Sequence, residues 1–248
     1  RFTYKMGKMD LYAVAFSERD FTSRFTAVSS DYIRNAGIPA AHLGFRYTKK
    51  NEDGTGMVFG AGAGMLNIQP EIVTALDYKT DELVQTFNAN AYFRLNTKPL
   101  TVKLYGAYGG NMVNTLLFGG YATSSYDSAT AMATYAPINN AAFWLDLHTN
   151  GKKVQAGLFA GYNMNLGTNE DIIGAAQGAG LFGLMPNILN VMRVSPRIMF
   201  NSGKFRFATE VEYTSATYGD GTYDVNAIPQ NTYTVGNLRL LLATYYFF

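Results

Sequence analysis

The sequence predicts an all-β chain, a transmembrane antiparallel β-barrel of about eleven strands, on three observations. Apolar and polar residues alternate with period 2 from end to end, short polar turns alternate with long connections, and charged residues are scarce. Only 15% of the 248 residues are charged, against roughly 25% in an average globular domain. Glycine (25 residues) and aromatics (15%) are abundant. Such a mixture suits a sheet with one face in lipid and the other in water. No apolar run approaches the ~18–20 residues of a transmembrane helix, so any crossing falls to strands.

Strands are expected first at 2–6, 11–16, 41–49 and 57–67. Gly60, Gly62 and Gly64 share one face of the fourth. A file of glycines opens a lumen, admits a closely packed loop, or relieves sheet curvature. The clearest alternation is 86–96, where Phe87, Ala89, Ala91, Phe93 and Leu95 oppose Asn88, Asn90, Tyr92, Arg94 and Asn96. After a turn at 96–99, Leu100, Val102 and Leu104 oppose Thr101, Lys103 and Tyr105. Phe143, Leu145 and Leu147 oppose Trp144, Asp146 and His148, and Asn150-Gly151 marks a hairpin. The return strand sets Val154, Ala156, Leu158 and Ala160 against Lys153, Gln155, Gly157 and Phe159.

A third hairpin covers 191–214, turning at 201–204. Pro196 inside it predicts a bulge or a gap in the ladder, because proline has no N–H to donate. The last run, 237–248, sets Leu238, Leu240 and Leu242 against Arg239, Leu241 and Ala243. Short turns near 7–10, 51–55, 96–99, 150–152 and 202–203 alternate with long connections at 17–40, 68–82, 110–138, 166–190 and 215–235. The chain is expected to be one domain, 1–248. Strand parity, with long loops outside and short turns periplasmic, places residue 1 on the outer side and predicts missing N-terminal strands.

The faces opposite the apolar ones are too polar for a packed core and are expected to line a water-filled lumen. Arg46, Arg94, Lys103, Asp146, Lys153, Arg193, Arg197, Arg206, Glu210 and Arg239 are the expected lining, with Glu212 a further acid. The basic excess favours anions, unless the charges pair with one another, as Arg206 with Glu210, or sit at the rims. The loops at 109–137 (Leu116, Leu117, Phe118) and 166–190 (Ile172, Ile173, Leu181, Phe182, with Gly174-Ala175-Ala176 and Gly178-Ala179-Gly180) are apolar. Packing or contact is expected of them: a constriction, a short helix in the lumen, or a subunit contact.

Other chemistries find little support. Cysteine is absent and net charge is only +2, which excludes disulfides and thiolate sites and gives no argument for nucleic acid. The start of the chain lacks the apolar core of a signal peptide. Gly60 to Gly64 lies in a strand pattern with no helix after it, so a phosphate loop is not expected. His42 and His148 lack metal-ligand spacing. His148 and Asp146 share a face, but a Ser or Thr partner cannot be identified, so no enzyme, cofactor or metal is expected.

The ending Ala243-Thr244-Tyr245-Tyr246-Phe247-Phe248 resembles the closing strand of bacterial outer-membrane proteins, which implies that Tyr246 and Phe248 form the C-terminal assembly signal. With Trp144-Leu145-Asp146 and the run Gly151-Lys152-Lys153-Val154-Gln155-Ala156-Gly157-Leu158-Phe159-Ala160-Gly161-Tyr162, the chain resembles the DcaP-type trimeric porins of Gram-negative bacteria. That resemblance implies a sixteen-stranded pore, a homotrimer, and uptake of small, often anionic solutes. The expected function is therefore a channel for passive diffusion of small hydrophilic solutes, located in the bacterial outer membrane among its lipid and lipopolysaccharide. A structural or accessory barrel in a larger envelope complex is the second reading, and an outer-membrane enzyme the third.

Overall fold

The computed structural model describes residues 1–17, 23–24, 28–29, 31–115, 117–174 and 180–248. Leu116 and residues 175–179 of the two apolar loops lie outside them. The chain begins with β1 (Phe2–Met6), β2 (Met9–Phe16), the short β3 (Ser23–Arg24) and β4 (Val28–Ser29), and a helix α1 (Asp31–Ala36). Next come β5 (Ala40–Lys50), β6 (Gly56–Ile68), β7 (Val84–Asn96), β8 (Leu100–Gly110) and a 3₁₀ turn (Met112–Thr115). Then follow β9 (Gly119–Asp127), β10 (Met132–Pro137), β11 (Asn139–Thr149), β12 (Val154–Gly167) and β13 (Leu181–Leu184). Last are β14 (Ile188–Ser202), β15 (Phe205–Tyr218) and β16 (Tyr233–Tyr246).

Among the described residues the main sheet has eleven strands, in the order β1-β2-β5-β6-β7-β8-β11-β12-β14-β15-β16. Every neighbouring pair is antiparallel. Short turns close it at one end. Two of them are two-residue turns that begin with a glycine at positive φ, Gly7 (58°) and Gly203 (59°), where other residues are strained. The Asn150-Gly151 turn works differently. Gly151 does not have positive φ; it is needed because a Cβ there would meet the Val154 carbonyl oxygen. Asn150 reaches into the adjacent turn, where its amide donates to the Thr97 carbonyl at 2.8 Å and its backbone N–H to the Pro99 carbonyl at 2.9 Å. Pro196 leaves a gap rather than a bulge. The β14–β15 ladder skips Ser195 and Pro196 without changing register, while Leu158 on β12 still pairs with Pro196.

The main-sheet faces differ as the alternation predicts, but the packed hydrophobic core is elsewhere. Leu238, Leu240, Leu242 and Phe87 are 71%, 63%, 74% and 68% exposed. Buried apolar residues gather instead at the long-loop end. One cluster joins Tyr32 and Ile33 of α1 to Ala40, Leu66, Ile68, Val84 and Tyr121; a second joins Ala122, Ile138, Ile172, Tyr223 and Ala227. Its centre is a three-stranded sheet, β10-β9-β13, built from the two apolar loops. That cap accounts for the loops' composition: they pack against one another and against strand ends.

Two remaining loops carry a similar small tongue. Val73 pairs with Lys79 in one and Tyr223 with Pro229 in the other. Each turns through a non-glycine residue at positive φ, Asp77 (62°) or Ala227 (61°). At the root of the second, Asp220 accepts from the Thr222 hydroxyl (2.6 Å), the Thr222 N–H (2.9 Å) and the Asn231 amide (3.0 Å). The Thr222 bonds lead in holding this carboxyl below its ordinary range. A depressed folded pKa means that the ordering is present above the ordinary carboxylate value and lost as pH falls through the lowered one. Protection of the Thr222 amide against exchange, relative to a free amide at the same pH, should therefore fall on acidification below that range. In Asp220→Asn it should lose that added acid sensitivity; an unchanged acid response in the variant would refute the assignment.

The eleven-stranded sheet is open, which corrects the barrel expectation. β1 pairs with β2 and β16 with β15, and among the described residues no ladder joins β1 to β16. β1 has five residues and β16 fourteen, so the two edges do not match. Alternation and turn chemistry specify pairing between successive hairpins, whereas closure needs strands from opposite ends of the chain. Neither signal bears on that pairing. The closed transmembrane barrel and the sixteen-stranded pore are therefore not found. The porin resemblance rested on one hairpin and an aromatic C-terminal ending, which specify strands and not their closure, and it falls with them. So do the passive-diffusion channel, its anion preference and the barrel alternatives. The homotrimer, and outer-membrane lipid, lipopolysaccharide and small solutes as partners of a pore, are likewise withdrawn, since each presupposed the closed channel.

Candidate functional site

The register places a continuous set of polar side chains on one face of the main sheet. Across β2, β5, β6, β7, β8, β11, β12 and β14 one row reads Asp10, Arg46, Gly60, Tyr92, Tyr105, Trp144, Gly161 and Arg193. The next row toward the short turns includes Arg94, Lys103, Asp146, Phe159 and Ser195. Beyond it lie Asn96, Thr101, His148, Gly157, Arg197 and Glu210.

Two buried carboxylates organise this face. Asp146, 8% exposed, accepts from Arg197 Nη2 at 2.7 Å and from Lys103 Nζ at 3.5 Å, and lies 3.2 Å from His148 Nδ1. Glu212, 7% exposed, accepts from Arg239 Nη2 at 2.8 Å and has Arg193 Nη1 at 3.5 Å. Each acid thus holds two permanent cations, leaving each cluster net positive. Buried carboxylates without such partners would be costly. A third pair, Arg46 with Asp10 at 2.6 Å, is balanced.

Glycines make these contacts possible. Arg197 on β14 reaches Asp146 on β11 by crossing β12 at Gly157, where a Cβ would stand 2.8 Å from Arg197 Nε. The same device recurs along the glycine file. Tyr12 lies over Gly44, Tyr92 over Gly60 (2.6 Å to a Cβ there) and His42 over Gly62 (2.5 Å). The file is therefore a bed for flat side chains.

Every expected lining residue except Lys153 is in a main-sheet strand. Lys153 is in the turn before β12, and its carbonyl accepts from the Asn201 N–H. Arg94 lines a recess beside the 51–55 turn, away from the carboxylates. Arg206 does not pair with Glu210; it donates to Asn201 Oδ1 at 2.8 Å and lies over the Phe247 ring. Tyr246 packs on Phe205 and lies under Lys204, while Phe248 is fully exposed. Asp10, Tyr92, Tyr105 and Trp144 also lie on this face beyond the expected lining; parity places the last three there, though they carry no charge. Asp10 sat just outside the expected second strand.

Tyr105 and Trp144 are adjacent and nearly parallel, 5.8 Å between centroids and 19° between planes. Phe159 leans toward Trp144 at 6.1 Å, over Gly161. On the other side, Asp10, Tyr12, Arg46 and Tyr92 help line a recess of about 240 Å³.

No family model matches the chain, and no curated protein matches it. Among solved structures it is similar to the FrpB iron transporter from Neisseria meningitidis (F3-3 variant), at 10% identity and a TM-score of 0.48. The match covers 98% of this chain and 40% of that chain, so this chain spans less than half of its length. A likeness at that level carries no argument about activity.

Proposed function

We propose that this chain is a non-catalytic recognition sheet of the cell envelope, located at the bacterial outer membrane, with its polar face toward water. One observation carries the reading: the two faces of a single sheet are segregated, one presenting bare Leu, Phe and Val, the other fixed by buried carboxylates that each hold two cations. An apolar face this extensive is uncommon on a chain surrounded only by water.

The protein has one tryptophan, Trp144, on the polar face, which makes the reading testable by fluorescence. In vesicle-reconstituted protein, aqueous iodide should quench Trp144 several-fold more than caesium does, because the surrounding charge is positive. Brominated acyl chains should leave Trp144 unaffected but quench a Leu240→Trp reporter in a Trp144→Phe background. Strong acyl-chain quenching of Trp144, or a caesium preference, would overturn the proposal.

A further inference from the structure

We infer that the band of aromatic side chains across the polar face binds an acidic oligosaccharide; this deepens the recognition reading above and rests on it. Tyr92, Tyr105 and Trp144 occupy one register row on the neighbouring strands β7, β8 and β11. Strands lie roughly 4.8 Å apart, so the three side chains form one band, with Tyr105 and Trp144 stacked on each other and Tyr92 laid over Gly60. Gly60 and Gly161, the row's next positions, contribute no side chains of their own. Beyond them the band is bounded by ionic groups: Arg46 with Asp10 at one end, Arg193 with Glu212 and Arg239 at the other.

Cross-strand pairing explains why Tyr105 and Trp144 touch. It does not explain why a row of partly buried rings lies among charged groups. A pyranose ring does match that arrangement. Its C–H face is apolar and stacks on flat aromatic rings, and its rim of hydroxyls both donates and accepts. Arg46 and Asp10 together offer a donor and an acceptor at the recess, where the 240 Å³ has room for a small ring and not for a long chain. From β5 to β14 the row crosses six strand spacings, roughly 30 Å, which favours an oligomer over a single sugar. The two net-positive clusters flank the Trp144 end, and at the recess Arg1 joins Arg46 beside Asp10, so both ends of the row carry surplus positive charge. A carboxylate on the sugar therefore faces Arg193 and Lys103, and this selects an acidic chain over a neutral one.

Trp144 reports on the site directly. Titration of the full chain with tri-galacturonate should give a saturable change in its emission. Maltotriose, a neutral trisaccharide of the same ring size, should bind about tenfold more weakly, and benzoate should not saturate over the same range. By calorimetry, Tyr105→Leu, which keeps apolar bulk but removes the flat ring, should weaken tri-galacturonate about tenfold. Arg193→Gln should weaken tri-galacturonate several-fold more than it weakens maltotriose, because Lys103 remains to face the carboxylate. A Phe143→Ala change on the opposite face should alter neither.

Absence of a saturable response to either sugar overturns the inference, and equal affinity for the two overturns its acidic part. Saturation by benzoate as tight as by tri-galacturonate would mean a site for flat aromatic anions instead, which also refutes it. The iodide and caesium experiment separates the failures. If Trp144 is reachable and surrounded by positive charge but no sugar binds, only this inference fails. If aqueous quenchers do not reach Trp144, the recognition reading fails with it.

Discussion

Replacing Tyr121 with alanine is expected to destabilise the loop cap by about 3–5 kcal/mol, the range for deleting a buried aromatic side chain. Tyr121 is 1% exposed and among the largest fully buried side chains. Its ring meets Tyr135 of β10 at 5.5 Å and Phe182 of β13 at 5.1 Å, and it shares a cluster with α1 and with the loop ends of β5, β6 and β7. Truncation removes a support common to all these segments at once. The hydroxyl behaves differently. Among the described residues it has no hydrogen-bond partner, and burial pushes its pKa up. Tyr121→Phe therefore removes an unsatisfied polar atom and should be neutral or stabilising by up to about 1 kcal/mol. Chemical denaturation, with amide exchange at Ala122 and Thr123, would read both variants. A Tyr121→Phe protein as damaged as Tyr121→Ala would show that the hydroxyl is essential and contradict this account.

The second large effect is expected at Asp146. Its removal strands Arg197, whose side chain is only 19% exposed, and frees Lys103 and His148. Breaking a fully buried pair costs about 3–5 kcal/mol; the part exposure of the cations lowers the expectation for Asp146→Ala to about 2–3 kcal/mol. Gly157→Ala should reach one arm of the same cluster from the other side. The new Cβ occupies the path of the Arg197 guanidinium, whose charged bond to Asp146 is worth about 1–2 kcal/mol. The two changes act on one contact, so they should not add. In an Asp146→Ala background Gly157→Ala should cost almost nothing, because Arg197 no longer needs to cross β12. A double-mutant cycle by chemical denaturation checks this. Additive costs would show that Gly157 serves backbone geometry rather than passage of a side chain.

These two predictions also mark what was legible in the sequence. Asp146 and His148 are two residues apart on a strand, and period 2 alone put them on one face, where they meet at 3.2 Å. Arg197 was assigned to the same face by the same argument. Its partner was not legible, because Arg197 reaches Asp146 across an intervening strand, and that reach depends on a glycine in a third segment. The alternative to a charged lining, that Arg206 neutralises Glu210 on the same face, is not what forms either: Arg206 turns to Asn201 and to the Phe247 ring. Tyr121 lies in the loop marked as apolar and packed. Nothing local indicated that its neighbours would come from α1, β10 and β13.

The eleven main-sheet strands, the alternation of short turns with long connections, and the sharing of faces are local properties of the chain; β3, β4, α1, β9, β10 and β13 arise inside segments that read as connections. The local properties depend on residues within a few positions of one another, through the two-residue period of an extended chain and the chemistry of tight turns. The open edges of the eleven-stranded sheet, the packed core in the loops, and the cation each buried carboxylate holds are set by long-range contacts. Those outcomes depend on contacts between segments distant in the chain, where edge length, the glycine vacancies and the reach of an arginine select the partner, and no local pattern encodes them.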